Sequence, residues 1–246
     1  MENIEKQISG SNLIYKYYAP TEYSLDALIN QYFWFSKREY LNDPYDLGNF
    51  RKGRLTLVLF NSLIRSFLQG IDMSEENIKK LIPEYASCSF TRDELNKQMW
   101  AYYAKDYSGW CLAFRKGKLM TRNESPLLPV NYVDNNLHIT SGDSSTSPNS
   151  YGSDIVESVL RNILCTKHES WKHEEEERII TRMKSSSNGA QRKWGTYQLD
   201  HITLGHKINP AYRNILMTLA KQLNVDVYEI SVHGNSDFTL TSNLIR

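Results

Sequence analysis

Apolar and polar positions alternate along the chain in short blocks, and the spacing within each block predicts strands and helices in irregular order. Extended runs of β-branched and aromatic side chains predict strands. These strands are residues 12–18, 31–36, 86–90, 109–114, 129–133, 179–180, 202–204, 225–232 and 238–241, with the last two as a terminal hairpin. Apolar residues three and four positions apart predict helices. These helices are residues 24–29 with Ser24 as the N-cap, 54–70, 74–83, 93–105, 154–164 and 210–222.

The order of these elements lacks the regular strand–helix–strand alternation of a doubly wound sheet. It therefore favours an α+β fold in which a mixed or mostly antiparallel sheet is flanked by helices. Residues 141–153 are rich in Ser and lack apolar anchors, so they are predicted to form a mobile surface loop. Residues 189–195 are predicted to be a polar connection. We expect the whole chain, residues 1–246, to form a single domain.

Composition narrows the class of protein further. The chain has 246 residues, 40% of them hydrophobic, and a net charge of +1, which argues against a strongly electrostatic nucleic-acid binder. Its three cysteines include no C-x-x-C pair, which argues against a zinc site of the usual spacing, and we expect no metal cofactor. An odd cysteine count fits a reducing compartment. Residues 1–10 are polar and no run approaches ~20 apolar residues. We therefore expect a cytoplasmic protein without a membrane partner.

Several common catalytic motifs are absent. The chain has no G-x-G-x-x-G, no G-x-x-x-x-G-K-[ST], no G-x-S-x-G and no H-E-x-x-H. The nucleotide-fold, α/β-hydrolase and zinc-protease classes therefore lose most of their support. His173, His201 and His206 are single histidines, and none of them qualifies alone as a metal ligand or a base.

The strongest local signal is the charged segment from Glu174 to Arg178. If the segment is a strand, Glu174, Glu176 and Arg178 share one face, because side chains alternate with period two. Two carboxylates on one face raise the pKa of one of them, which suits acid–base chemistry. The alternative is a solvated helix in which Glu174 and Arg178 pair at i and i+4. The β-branched residues that follow Arg178 favour the strand.

A set of short motifs follows in order along the chain. They are Tyr15-Lys16-Tyr17, Asn42-Asp43-Pro44-Tyr45-Asp46, Ser89-Phe90-Thr91, Met99-Trp100 with Tyr103, Gly109 with Cys111, and Lys167 with Trp171, Glu174, Glu176 and Arg178. Together they resemble a widespread bacterial family that is catalogued as a domain of unknown function. The chain departs from the usual pattern at Tyr18, where the family has Arg, at Ser89 and Thr91, and at Glu177, where the family has Trp. Tyr18 carries no charge, so it cannot form the ion pair with an anionic group that an Arg at this position would form.

The layout of these motifs is similar to that of the ADP-ribosyltransferase superfamily. That superfamily has a polar residue on an early strand, a Ser or Tyr on a second strand and Glu-x-Glu on a late strand. The resemblance implies that Glu176 binds the ribose of NAD and that Glu174 orients or deprotonates the acceptor. It places Tyr103 against the nicotinamide ring and Lys16 or Tyr17 on the cofactor. The remaining residues predicted to bind NAD are Ser36, Asn42, Asp43 and Arg178.

Three functional hypotheses follow. The first is an ADP-ribosyltransferase, a toxin or phage-defence effector that uses NAD as a substrate, acts on an unknown protein or nucleic-acid acceptor and is restrained by an antitoxin or regulatory partner. The second is a metal-dependent nuclease that uses Asp43 or Asp46 with Glu174 and Glu176, since carboxylates suit Mg²⁺. The third is a non-catalytic binding or immunity module that contacts its partner through the acidic segment and residues 141–153.

Overall fold

The computed structural model describes every motif discussed above, except for Pro44 and Tyr45 of the Asn-Asp-Pro-Tyr-Asp run. The described residues are 13–43, 46, 84–116, 127–134, 164–183, 188–195, 197–232 and 239–246. The helices predicted at 54–70 and 74–83 and the loop predicted at 141–153 lie outside the described residues. So does the helix predicted at 154–164, apart from Leu164.

Among the described residues, ten strands form a mixed sheet at the centre of the fold. Eight strands follow one another across it in the order β12-β11-β10-β4-β1-β3-β2-β9, while β8 pairs with β3 and β5 pairs with β8. β6 and β7 form a separate parallel pair. The strands are β1 (Leu13–Tyr18), β2 (Tyr32–Lys37), β3 (Tyr85–Thr91), β4 (Trp110–Arg115), β5 (Leu127–Pro129), β6 (Asn131–Val133), β7 (Thr166–His168), β8 (Glu176–Arg182), β9 (Gly189–Lys193), β10 (Gln198–Leu204), β11 (Asp226–Val232) and β12 (Leu240–Leu244).

Three α-helices are described: α1 (Glu22–Ile29), α2 (Lys97–Tyr102) and α3 (Pro210–Leu223). α1 begins after Thr21, whose hydroxyl accepts the Ser24 backbone N–H, so the predicted N-cap Ser24 is wrong. α3 begins after Asn209 and carries Pro at its first position, where a missing N–H costs nothing. None of these helices is long and apolar enough to cross a membrane, and this holds for the described residues only.

The predicted α+β class is confirmed, and so is the mixed sheet, since β10 and β11 run parallel while the other neighbours in the large sheet are antiparallel. The terminal hairpin is also confirmed as β11 and β12. Residues 189–195 are a wrong prediction, because residues 189–193 form the edge strand β9 against β2. An edge strand needs no apolar face, so its polar sequence hides it.

Apolar side chains pack on both faces of the sheet. One face buries Phe33, Phe114 and Trp110 against α3, which contributes Leu216 and Ala220. The other face buries residues of α2, with Met99 and Trp100 packed on Tyr15, Tyr17 and Cys111. Alternation along β1 accounts for this division, because Ile14 faces the first cluster while its neighbour Tyr15 faces the second. The sheet is therefore covered on both sides where it is described.

The hydrogen-bonded ladder opens along one edge of β3. The other edge of β3 pairs with β8 along its whole length, from Tyr85 to Thr91. The open edge pairs with β2 at Ala86 and Ser87, and with β1 only at Thr91. Residues 88–90 lie between these two pairings and have β8 as their only partner strand in the described part of the chain. β1 and β2 therefore leave a gap in the sheet.

Glycine is required where β4 begins, at Gly109 of the Gly-x-Cys motif. A Cβ atom there would lie 2.0 Å from the Tyr18 carbonyl oxygen and 3.1 Å from that of Ala104. Gly109 donates its N–H to the Ala104 carbonyl, and its own carbonyl accepts the N–H of Gly205. The motif glycine therefore lets the segment after α2 pass directly against β1.

A buried histidine links β10 to the segment before α2. His201 contacts two carboxylates: Nδ1 lies 2.8 Å from Asp200 Oδ2, and Nε2 lies 3.0 Å from Glu94 Oε1. Its ring also packs edge-on against Tyr228. Burial lowers the pKa of His201, but the hydrogen bonds and charges of Glu94 and Asp200 raise it overall. The Glu94 backbone carbonyl also accepts a hydrogen bond from the Tyr17 hydroxyl. Glu94 is thus held by its side chain and by its backbone, which restrains the segment that precedes α2.

We expect the His201 ion pairs to make stability depend on pH. A raised folded pKa means that the folded state holds the proton more tightly, so this stabilisation is fully present below the unfolded pKa of about 6.5. It is lost as pH rises through the folded pKa. Urea denaturation should show that His201→Gln lowers the free energy of unfolding more at about pH 6 than at about pH 9.

The control is His206→Gln. His206 is exposed, and partial burial and Lys207 lower its pKa, so any effect should have the opposite dependence on pH. An equal loss of stability in His201→Gln at both pH values would contradict a charged His201.

Candidate active site

A cavity of about 180 Å³ lies at the gap between β1 and β2 along β3. Strand residues form one part of its lining, and the end of α2 and the segment that leads into β8 form another. Seven of the predicted site residues line it: Lys16, Tyr17, Ser36, Asn42, Tyr103, Glu174 and Glu176. The structure therefore brings together residues that are up to 160 positions apart in the sequence, from Lys16 to Glu176.

Arg178 holds two of the carboxylates that line the cavity. Its guanidinium donates to both oxygens of Asp46, at 2.6 Å each, and to both oxygens of Glu176. A fifth hydrogen bond, of 2.9 Å, reaches the Leu164 carbonyl. These bonds use all five N–H groups of the guanidinium. Arg178 is 1% exposed, so the contact with NAD predicted for it would require one of these hydrogen bonds to break.

Lys167 lies at the centre of three carboxylates. Its Nζ atom is 2.5 Å from Glu174 Oε2, 3.3 Å from Glu176 Oε2 and 3.6 Å from Asp46 Oδ2. The ammonium also lies 4.7 Å from the ring centre of Trp171. Burial lowers the pKa of Lys167, but the three carboxylates raise it overall. Lys167 is therefore a buried cation. When all three carboxylates are ionised, the cluster of Asp46, Lys167, Glu174, Glu176 and Arg178 has one negative charge in excess.

Tyr103 connects the other side of the cavity to the cluster. Its hydroxyl donates to Glu174 Oε1 at 2.6 Å and accepts from the Asn42 side-chain amide at 2.8 Å. α2 places Tyr103 directly after its last residue, and the helix is held by Asn96, whose side chain caps its N-terminus. Burial and the neighbouring Glu174 both raise the pKa of Tyr103. Tyr103 therefore stays protonated and acts as a hydrogen-bond donor.

The backbone at Glu175 brings Glu174 and Glu176 to the same side. Glu174 ends a 3₁₀-helix (Glu169–Glu174), Glu175 has a φ of 43°, and Glu176 begins β8. The prediction that all three charged residues share one strand is therefore wrong for Glu174. The alternative of a solvated helix is also wrong, since Glu174 is 2% exposed. The left-handed backbone conformation of Glu175, and not strand alternation, therefore places Glu174 and Glu176 on the same side.

The environments of the two glutamates push their pKa values apart. Burial raises the pKa of Glu174, and the attraction of Lys167 and the hydrogen bond from Tyr103 only partly offset this. Burial also raises the pKa of Glu176, but Arg178, Lys167 and a hydrogen bond from Ser89 outweigh it and bring the value to about 2. Glu176 is therefore ionised throughout the neutral range, while Glu174 exchanges a proton more readily. Such a division separates a permanent anion from an acid–base group.

The two glutamates also differ in how many hydrogen bonds they can still accept. A carboxylate has about four acceptor positions. Glu176 accepts two bonds from Arg178, one from Lys167 and one from Ser89. Glu174 accepts one bond from Tyr103 and one from Lys167. Glu174 is therefore the carboxylate with acceptor positions left for a ligand in the cavity.

The remaining predicted residues take different positions. Lys16 reaches into the gap in the sheet, where its Nζ donates to the Ser89 carbonyl at 3.0 Å. Tyr17 lines the cavity with part of its side chain, but its hydroxyl donates to the carbonyls of Asp93 and Glu94. Asp43 is 2% exposed and is not among the residues that line the cavity. The set predicted to bind NAD therefore converges on one place except for Asp43 and Arg178.

Two residues of the cluster are missing from the set predicted to bind NAD: Lys167 and Asp46. Both occur in the motifs that carry the family resemblance, Lys167 four positions before Trp171 and Asp46 at the end of the Asn-Asp-Pro-Tyr-Asp run. That position within a motif was the available signal. A lysine is almost always exposed unless it is paired, so its burial could not be read from the sequence.

The geometry around Lys167 bears on the nuclease hypothesis. The position among Asp46, Glu174 and Glu176 that a metal ion would need is taken by the Lys167 ammonium. Within the described ranges, no group of three or more His, Cys, Asp or Glu side chains is arranged to hold a metal ion. Lys167 and Arg178 already pair with the carboxylates of this site, so the nuclease hypothesis gains no support from them.

We expect Arg178 to be the largest single contributor to the stability of the site. Arg178→Lys cannot reproduce the two bidentate contacts and leaves buried carboxylate oxygens without partners, which should cost about 3–5 kcal/mol of unfolding free energy. The matched control is Arg182→Lys, because Arg182 is on the same strand but 62% exposed beside Glu84. Urea denaturation should show a loss of at most about 1 kcal/mol for the control. Similar losses in the two variants would contradict the assigned role.

Comparison with known proteins finds a family match for part of the chain. No curated protein and no solved structure matches it. Residues 99–179 match the model of a family described as a protein of unknown function (DUF2971). The matched segment begins at Met99 and includes Tyr103, Lys167, Glu174, Glu176 and Arg178. The predicted resemblance to a family of unknown function is thus confirmed over the segment that supplies most of the charged cluster.

Proposed function

We propose that the chain is an NAD-dependent ADP-ribosyltransferase-like enzyme whose reacting centre is the cavity beside Lys167. The observation that carries this proposal is the convergence of Lys16, Tyr103, Glu174 and Glu176 on one cavity, with the pKa values of the two glutamates shifted in opposite directions. Perturbed carboxylates in a polar cavity are typical of catalytic sites.

The layout that suggested this function needs polar residues on neighbouring strands, and the chain supplies them, although Glu174 itself precedes β8. Lys16 is on β1, Ser89 is on β3 and Glu176 is on β8. β3 pairs with β1 on one edge and with β8 on the other, so these three polar residues come from three neighbouring strands. A shared layout alone does not establish an activity, but it supports the residue roles that follow.

The chemistry required is the transfer of ADP-ribose to an acceptor. The bond between the ribose C1′ and the nicotinamide nitrogen breaks, and nicotinamide leaves with the electron pair. An acceptor nucleophile then forms a bond to C1′ and gives up its proton. Positive charge develops on the ribose in this process, and the negative charge in excess around Lys167 lowers its energy. We assign the acceptor proton to Glu174, which has a raised pKa and acceptor positions to spare.

The role of Glu176 then differs from the one that the resemblance implies. Its acceptor positions are taken by Arg178, Lys167 and Ser89. We propose that Glu176 supplies fixed negative charge and orients Lys167, which in turn positions Glu174. Ribose hydroxyls would hydrogen-bond to Glu174 and to the Asn42–Tyr103 pair.

The size of the cavity limits how NAD would bind. Sites for drug-sized ligands occupy roughly 300–1,000 Å³, and the cavity measures about 180 Å³. It has space for one ring of NAD with the adjoining ribose at its mouth. The rest of the molecule would lie outside it. The acceptor, whether protein or nucleic acid, would approach from the same open side.

We expect Glu174→Gln to remove the transfer activity and leave the fold in place. Loss of an acid–base group should lower the rate about 100- to 10,000-fold. The measurement is transfer of labelled ADP-ribose from NAD to cell extract, together with release of nicotinamide. The matched control is Glu175→Gln at the neighbouring exposed carboxylate, which should keep the wild-type rate. Full activity in Glu174→Gln, or no cleavage of NAD by the wild-type chain, would refute the proposal.

The pH dependence of the rate gives an independent check on Glu174. A base must be deprotonated, so the rate should rise with pH through the pKa of Glu174, which burial raises above its ordinary value. Tyr103→Phe removes a hydrogen bond that favours the ionised form, so it should move this limb to higher pH. A profile that is the same in the wild type and Tyr103→Phe would contradict the assignment of the limb to Glu174.

A further inference from the structure

Ser87 has a buried hydroxyl that lacks a hydrogen-bond partner. The residue lies on β3, lines the cavity and is 3% exposed. Its Oγ atom has no partner among the described residues. A buried polar group without a hydrogen-bond partner lowers the free energy of unfolding, and such groups are rare in native proteins unless they have a function. Because this hydroxyl belongs to a residue of the cavity wall, a bound ligand would supply the missing partner.

Trp34 presents an exposed ring to the same cavity. It lies two residues before Ser36 on β2, and Ser36 is paired with Ser87 on β3. The indole lines the cavity and is nevertheless 44% exposed. An exposed tryptophan at the edge of a cavity offers a large rigid surface to a ligand.

Gly189 on the edge strand β9 keeps the indole of Trp34 in this place. A Cβ atom at position 189 would lie 2.6 Å from Cζ2 and 2.7 Å from Cε2 of the indole. The ring therefore passes directly over the backbone of β9, at a position that a side chain would block. One side of the ring is held by the protein, and the exposed part remains open to contact.

We propose that Trp34 and Ser87 form a subsite for a planar nitrogen-containing aromatic ring. The ring stacks on the indole of Trp34, and a polar group on its edge hydrogen-bonds to the Ser87 hydroxyl. The cavity volume of about 180 Å³ suits one such ring. This inference rests on the proposed function for the choice of ligand, because NAD has two rings of this kind. Nicotinamide and adenine share the required chemistry, and the experiment separates them.

The experiment titrates the full chain with nicotinamide and with adenosine, each alone, and measures dissociation constants by ligand-observed NMR. We expect one of the two probes to bind. Trp34→Ala should weaken its binding roughly 5- to 150-fold, the range found for stacking of a base on an aromatic side chain. Ser87→Ala should weaken it by about 2- to 13-fold through loss of one hydrogen bond.

Stability of the ligand-free chain separates a binding role of Ser87 from a structural one. Ser87→Ala deletes a buried hydroxyl that has no partner, so the melting temperature should stay the same or rise. A structural hydroxyl would give a fall. The matched controls are Ser108→Ala, whose hydroxyl donates to Lys105, and Tyr23→Ala, at an aromatic residue 85% exposed on α1. Both controls should bind the probe as the wild type does.

The outcomes distinguish this inference from the proposed function. If neither probe binds, or if the probe binds equally well to Trp34→Ala and Ser87→Ala, the subsite is wrong even where the wild-type chain cleaves NAD. If binding of one probe depends on both residues but NAD is never cleaved, the subsite stands and the transferase proposal fails. Dependence on both residues together with cleavage supports both, and the probe that binds identifies the ring.

Discussion

The five hydrogen bonds of the Arg178 guanidinium are the interaction on which the site depends. They connect β8 to Asp46, which follows β2, and to Leu164, which precedes β7. Burying a guanidinium is costly unless every N–H has a partner, and here each N–H has one. These hydrogen bonds therefore offset the cost of burying the charges of Asp46, Glu176 and Arg178. Lys167 and Glu174 are buried beside them.

The opening in the ladder along β3 is the second constraint. A continuous sheet would bury the backbone of residues 88–90 against a neighbouring strand and leave no space for a ligand. Here β2 and β1 each pair with one end of β3 and diverge between. The Ser89 carbonyl, which has no ladder partner on that side among the described strands, accepts a hydrogen bond from the Lys16 ammonium instead. The cavity is thus a consequence of strand pairing, and the side chains that line it come from elements on either side of the opening.

Local sequence predicts much of this architecture. The aromatic and β-branched runs at residues 12–18, 86–90 and 109–114 become β1, β3 and β4 with small shifts at their ends, because such side chains suit a sheet that is buried on both faces. The polar strand β9 is missed, since an edge strand obeys no apolar pattern. The predicted start of α1 is also displaced. Thr21 and Ser24 can each cap a helix, and the packing of the folded chain selects Thr21.

The sequence by itself determined the fold class, the motifs and the residue types of the site, since these follow from side-chain chemistry and local periodicity. It identified Glu174, Glu176, Tyr103 and Lys16 as residues that belong together. Only the tertiary structure decided that Lys167 lies among three carboxylates and that Arg178 is fully occupied by Asp46, Glu176 and the Leu164 carbonyl. The physical reason is that the pKa and the hydrogen bonds of a charged group depend on its burial and neighbours, which come from distant parts of the chain.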